Sequence, residues 1–227
     1  MRNTELEHLK IGIIGAGNLG TAIAARLIKM EHEVMLSFSR DLEKLKVTAG
    51  SLGALAGAPS EAVEFGDIVV LTTPWTITAE ALRQAGKVTS KKILWDCTNA
   101  LKPDMSGLLI GTTSSAGEEV ARLAPWATVV KAIPPFAELL HSANTLINGV
   151  RPGVFVCGDD ADARKVVAGP VVDIGAEPVD AGPLYLARYT EPACMLLVQL
   201  GYVQGWGTRI GLTIARARDT RTDTTSG

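Results

Sequence analysis

Short runs rich in apolar residues recur along the chain, at residues 10–14, 33–38, 67–72, 92–96, 128–131 and 153–157, with helix-length segments or loops between most of them. Each run has the length of a strand, and apolar residues dominate without a polar face, the pattern of strands buried on both sides. Strands alternating with helical segments predict an α/β fold whose parallel sheet is covered by helices on both faces. Ligands of such sheets lie beyond the carboxyl ends of the strands. The loops at 73–75, 97–99 and 132–136 are therefore expected to line a site.

The pattern changes after residue 180. Residues 185–206 are apolar with few charges, and Ala193, Leu196, Leu197 and Leu200 fall at helical spacing. A helix this apolar is expected to be buried on several sides, against the sheet, a substrate or a second copy of the chain. Glu191-Pro192 either kinks it or marks its start. The expected organisation is a nucleotide-binding domain over 1–180, a C-terminal helical segment over 181–215 that completes the substrate pocket and forms a homodimer interface, and a disordered tail over 216–227.

The most informative segment is residues 11–40, IGIIGAGNLGTAIAARLIKMEHEVMLSFSR. The loop Gly15-Ala16-Gly17-Asn18-Leu19-Gly20 follows an apolar run, and Leu19, Ile23, Ala24, Leu27 and Ile28 continue it at helical spacing. Gly15 permits a tight turn out of the strand, Gly17 a close approach of backbone to a pyrophosphate, and Gly20 close packing of helix on strand. The phosphates would meet the free N–H groups and positive dipole end of the helix. The fold class that follows is a Rossmann-type doubly wound parallel sheet with a small C-terminal helical extension. A flexible glycine turn with no ligand is the plain alternative.

The end of the second apolar run selects the dinucleotide. NAD sites usually place an Asp or Glu there, whereas this chain has Ser37-Phe38-Ser39-Arg40. Ser37 and Ser39 hydroxyls can donate to a 2′-phosphate, and the Arg40 guanidinium can pair with it and stack on the adenine. Lys44 adds a positive charge, and Asp41 is expected to cap the next helix. The cofactor expected is NADP. Among the strand-end loops, Thr73 and Pro74 are candidates for contact with it and Trp75 for contact with the substrate, with strand termination and core packing as their plain alternatives.

Composition narrows the class. The formal net charge of −2 comes without a basic tract, so neither nucleic acid nor an anionic membrane is an expected partner. No run reaches the ~18 to 20 apolar residues of a membrane span, and the polar start MRNTELEHLK does not resemble a signal peptide. Cys97, Cys157 and Cys194 are dispersed among apolar neighbours and read as reduced core residues of a cytoplasmic protein. His8, His32 and His141 lack ligand spacing, and no metal is expected.

These residues carry a family resemblance. GAGNLG, SFSR, LTTPW at 71–75, VCGDD at 156–160 and DAGPL at 180–184 make the chain resemble the NADPH-dependent reductases of coenzyme F420. The resemblance implies hydride exchange between the nicotinamide C4 of NADP and C5 of the deazaflavin ring of F420, the co-substrate. It places Ala16 to Leu19 on the pyrophosphate and adjoining ribose, and Ser39, Arg40 and Lys44 on the 2′-phosphate. Pro74 and Ala132 then border the nicotinamide half. An apolar wall for the deazaflavin falls on Ile133, Pro134 and Leu196 or Leu197. Family members often carry a His-Thr or Asn-Thr pair where this chain has Ile133-Pro134-Pro135, so polar donors are missing from that loop.

Hydride transfer between two stacked rings needs close approach and exclusion of water, with little acid–base chemistry, and no catalytic side chain is assigned. Two other classes fit the cofactor loop. An NADP-dependent reductase of a small imine or hydroxy acid would need a proton donor, for which Lys131 and His141 are the nearest candidates. A non-catalytic NADP-binding sensor would need none.

Overall fold

The computed structural model describes residues 8–86 and 91–217. The start of the chain and most of the expected tail, residues 218–227, lie outside the described residues. Eight strands form one sheet in the order β3-β2-β1-β4-β5-β6-β7-β8. They are β1 (Lys10–Ile14), β2 (Glu33–Ser37), β3 (Leu55–Ala56), β4 (Ile68–Leu71), β5 (Lys92–Asp96), β6 (Ala127–Lys131), β7 (Gly153–Cys157) and β8 (Glu177–Gly182). The first six run parallel, β7 pairs antiparallel with β6, and β8 pairs parallel with β7. The sheet is thus doubly wound and mostly parallel, with two strands reversed at one edge.

Strand alternation divides the core into two layers. Ile11 and Ile13 of β1, Val70 of β4, Trp95 of β5 and Val130 of β6 pack with α1 (Asn18–Lys29), α2 (Leu42–Leu52) and α7 (Ala161–Asp173). Ile14, Val69, Leu71, Leu94 and Val129 point the other way, onto α3 (Pro59–Phe65), α4 (Trp75–Ala85) and α5 (Ala116–Leu123). Successive residues of a strand face opposite sides, so a strand buried on both faces must be apolar throughout. That is why the six runs were visible without a polar–apolar rhythm.

Two strands were not visible. β3 is only two residues long, and β8 reads EPVDAG, whose proline and acidic residues are tolerated because it is the sheet edge. Since β8 carries the sheet through Gly182, the first unit extends past residue 180. β2 stops at Ser37 because Phe38 takes a left-handed conformation with φ 57°, which turns the chain out of the sheet. The C-terminal apolar region forms a 3₁₀ turn (Leu184–Leu186), α8 (Ala187–Val198) and a π-helical turn (Gln199–Val203). Pro192 lies inside α8 and does not start it. The short α6 (Ala137–His141) packs beside α1.

Helix α3 sits on β1 through Gly12, where a Cβ would lie 1.9 Å from the Ala62 carbonyl oxygen, a backbone atom that cannot swing aside. Among the described residues no helix is long and apolar enough to cross a membrane. Gly12→Ala is expected to lower the unfolding free energy by about 1 to 3 kcal/mol through this overpacking. Urea denaturation should show an earlier midpoint with an unchanged slope.

Candidate functional site

The glycine loop has the geometry its residues imply. Gly15 has φ 124°, a conformation that L side chains rarely adopt, and its carbonyl accepts a 2.8 Å hydrogen bond from Thr72 Oγ1 at the end of β4. A Cβ at Gly20 would lie 1.9 Å from the Gly15 carbonyl oxygen, so only glycine lets α1 start this close to β1. Gly17 is the N-cap of α1 and makes no side-chain cap, no acidic residue occupies the first turn, and a Cβ there would meet nothing within 4 Å. A helix N-terminus with uncapped N–H groups and open space before it is suited to a phosphate. Ala16 and Leu19 are half-buried beside it, and Asn18 is exposed.

At the end of β2 the expected phosphate donors separate. Arg40 and Lys44 are exposed, and Ser39 is half-buried. The Ser39 hydroxyl accepts from the Asp41 N–H at 3.3 Å, which leaves its own proton free to donate. Asp41 caps α2 by accepting from the Lys44 N–H at 3.0 Å. Ser37 is corrected: it is fully buried, and its hydroxyl donates to the Ile13 carbonyl at 2.9 Å, stitching β2 to β1. That bond ties the hydroxyl to β1 and leaves it no proton for a ligand at the strand end.

A cavity of about 280 Å³ opens beyond the strand ends, between the glycine loop, the loops after β5 and β6, and the inner face of α8. Leu19, Leu101, Ile133, Phe136, Phe155 and Leu197 give it apolar walls, and residues 210–212 close one side. Its oxygen- or nitrogen-bearing side chains are Asn18, Asn99, Glu138 and Tyr202. Tyr202 donates to Glu138 Oε2 at 3.2 Å and packs edge-on against Phe136, with ring centroids 5.2 Å apart. Asn18 Nδ2 lies 3.4 Å from Glu138 Oε1, so this carboxylate links the glycine loop to the turn after α8. Burial, together with the neighbouring Glu138 charge, pushes the Tyr202 phenol up from its usual range.

Of the substrate-wall candidates, Ile133, Pro134 and Leu197 line the cavity. Leu196 is corrected: it is 56% exposed on the outer face of α8. Trp75 is also corrected, since it packs into the layer beneath α4 and does not line the cavity. Thr73 is buried and shares a 2.9 Å hydrogen bond with Thr78, so its hydroxyl is engaged within α4. Pro74 is exposed as the N-cap of α4, while Ala132 is fully buried and its carbonyl accepts from Trp95 Nε1 at 2.7 Å. Asn99, Glu138, Tyr202 and residues 210–212 were not chosen from the sequence. Asn99 lay in a loop singled out for position, whereas the others arrive through long-range packing.

Behind the cavity lies a buried ionic group. Lys131 and Asp96 are register partners on β6 and β5, both fully buried, with Nζ 2.8 Å from Asp96 Oδ2. Nζ is also 3.1 Å from Glu191 Oε1 of α8 and donates to the Thr98 carbonyl at 2.5 Å. The Glu191 carboxylate accepts from the Ala116 and Gly117 N–H groups at 2.8 and 2.9 Å, at the N-terminus of α5. Burial pulls the Lys131 ammonium down most strongly, but Asp96 and Glu191 together overcome it and hold it above its ordinary value. Lys131 is therefore a charged structural strut that does not line the cavity. His141 is exposed, 3.0 Å from Asn18 Oδ1, and supports the glycine loop from outside the cavity.

Cys97 and Cys157 are buried and unpaired, and Cys194 lines the cavity unpaired. Burial pushes the Cys194 thiol up to about 12, so it presents an uncharged sulfur. Among the described residues no three His, Cys, Asp or Glu side chains are placed to hold a metal ion.

Residues 10–100 match the family described as NADP oxidoreductase, coenzyme F420-dependent. The F420-dependent NADP reductase of Methanocaldococcus jannaschii is 28% identical over 223 residues, covering 89% of this chain and 98% of that protein. A crystal structure of a protein proposed to be an F420-dependent NADP reductase, from Arthrobacter sp. FB24, superposes with a TM-score of 0.81 at 27% identity, covering 92% of this chain and all of the other. The metalloreductase STEAP3 of Rattus norvegicus is 30% identical over 190 residues, and the chain spans only 36% of its length.

Lys131→Met would leave two buried carboxylates without their cation and is expected to cost about 3 to 5 kcal/mol of stability, read by chemical denaturation. A milder effect is expected on the acid side. Arg188, donating to Glu118 at 2.6 Å, is the largest influence on that carboxyl and holds it below its ordinary 4.5 despite partial burial. A depressed folded value stabilises the protein above pH ~4.5, and the benefit is lost as pH falls through the folded value. The wild-type melting temperature should therefore fall more steeply below pH ~4.5 than that of Glu118→Gln.

Proposed function

We propose that this chain, a relative of the F420-dependent NADP reductases, is an oxidoreductase that transfers a hydride between NADP(H) and coenzyme F420. The observation that carries the reading is the continuity of an uncapped, anion-ready helix N-terminus at Gly17 with an apolar cavity at the strand ends. The residues present fit both groups. The first-turn N–H groups of α1 would hold the pyrophosphate, and Ser39, Arg40 and Lys44 supply donors where a 2′-phosphate would lie.

When bound, NADPH would supply the hydride and NADP would accept it, and the chain's own work is positioning. Ile133, Pro134 and Leu197 offer flat apolar walls that would align a ring and exclude water. The cavity is near the lower end of small-molecule sites, about 300 Å³, which suits one flat ring system. Lys131, the nearest candidate donor for an imine reductase, is locked in its ionic group. One observation favours that second reading: Tyr202 and Glu138 at the cavity edge form a pair able to donate a proton to an imine nitrogen. We also propose that the exposed outer face of α8 pairs with a second copy of the chain.

Purified protein with NADPH and oxidised F420 is expected to lose the deazaflavin absorbance, with NADH giving little turnover. NADPH binding without F420 reduction would instead support a small-imine reductase. Arg40→Ala should weaken NADPH binding by about 1.5 to 3 kcal/mol, roughly ten- to hundredfold, with NADH affinity little changed. Ser37→Ala should leave the NADPH dissociation constant unchanged, because that hydroxyl is engaged within the sheet. A large loss in Ser37→Ala would contradict the buried placement.

A further inference from the structure

Among the described residues, Asn99 Oδ1 is the one buried side-chain oxygen or nitrogen without a hydrogen-bond partner. Asn99 follows β5 in the loop that lines the cavity, with Leu101, Ile133 and Leu197 among the other lining residues. Its amide cannot be turned over, because Nδ2 donates to the Glu191 carbonyl at 3.2 Å, and reversal would set oxygen against oxygen. A buried acceptor without a donor is unfavourable in the free protein and is relieved when a ligand brings an N–H or O–H to it.

We propose that Asn99 is the specificity-determining acceptor of this cavity, taking a hydrogen bond from an amide-type N–H on the edge of a flat, otherwise apolar ring. The apolar walls set the ring, and the single fixed acceptor sets which edge of it faces the loop after β5. Asn99 is well suited to this task because its anchor is itself tied down at both ends. Glu191 supplies the carbonyl that holds its Nδ2, while the carboxylate of the same residue is bound to Lys131 and to the start of α5. A rigid acceptor discriminates more strongly than an adaptable one, since a ligand lacking the donor leaves it buried and unpaired. Glu138, by contrast, is exposed at the cavity edge and already accepts from Tyr202.

Two ring systems carry this chemistry. On the F420 reading, on which this assignment of the ligand rests, it is the imide N–H of the deazaflavin. The other source is the carboxamide N–H of nicotinamide. The test compares two ligand pairs by fluorescence titration of the full chain, wild type and Asn99→Leu. One pair is 5-deazariboflavin and its N3-methyl derivative, each with NADP present. The other is NADPH and its 3-acetylpyridine analogue.

In the wild type, loss of the N–H in the deazaflavin pair is expected to weaken binding about tenfold, and Asn99→Leu should abolish that difference. Discrimination confined to the nicotinamide pair would support the acceptor role with nicotinamide as its ligand. Equal affinities within both pairs in the wild type would overturn the proposal, and that comparison needs no variant to fold. A wild type that binds neither deazaflavin would overturn the F420 reading alone and leave the nicotinamide pair to decide the role of Asn99.

Discussion

Lys131 is a cation with no water around it, and much of the molecule is arranged to make that tolerable. Its partners come from different parts of the chain: Asp96 from β5, the Thr98 carbonyl from the following loop, and Glu191 from α8. Two carboxylates against one ammonium leave an excess negative charge, and the N-terminus of α5 offsets it through the Ala116 and Gly117 N–H groups. Such a group adds little net stability over an apolar substitute, but removing one member leaves an uncompensated charge. It therefore acts as a registration device that ties the C-terminal helix to the centre of the sheet.

The cavity depends on that registration. Helix α8 contributes Leu197 to its wall and, through the Glu191 carbonyl, orients Asn99. A turn further on, Tyr202 meets Phe136 and Glu138 from the segment after β6. The reversal of direction between β6 and β7 also matters. Because β7 runs antiparallel, Gly153 at its start lies on the same side as the end of β6, and its N–H donates to the Leu212 carbonyl at 2.7 Å. The residues after the last helical turn thereby become part of the cavity wall.

The nucleotide end follows a simpler logic. Anion recognition at the glycine loop would be carried by backbone, so it needs glycines whose Cβ positions are blocked or whose space is open, and no basic side chain. On the proposed NADP reading, selection between dinucleotides would fall to the end of β2, where the left-handed turn at Phe38 ends the strand, leaving Ser37 buried within it and Ser39 and Arg40 beyond it. The turn that ends the strand, and not the strand's own alternation, decides which of the two serines can meet a ligand.

Sequence by itself determined the six apolar strands, the glycine turn, the Asp41 cap and the doubly wound class, because each depends on local spacing and intrinsic residue chemistry. It also located the loop after β6, and Ile133 and Pro134 do line the cavity. Tertiary structure alone decided the reversal of β7 and β8, the burial of Ser37, and the outward aim of Leu196 beside the inward aim of Leu197. It also turned Lys131 from a candidate proton donor into a strut, and Asn99 from a loop residue into an unpaired acceptor. Each of these rests on partners distant in the chain: Ser37 bonds Ile13 24 residues away, Lys131 bonds Thr98 33 away, and Asn99 bonds Glu191 92 away. Local periodicity carries no record of such partners: burial and hydrogen bonding are set by whichever distant segment packs alongside.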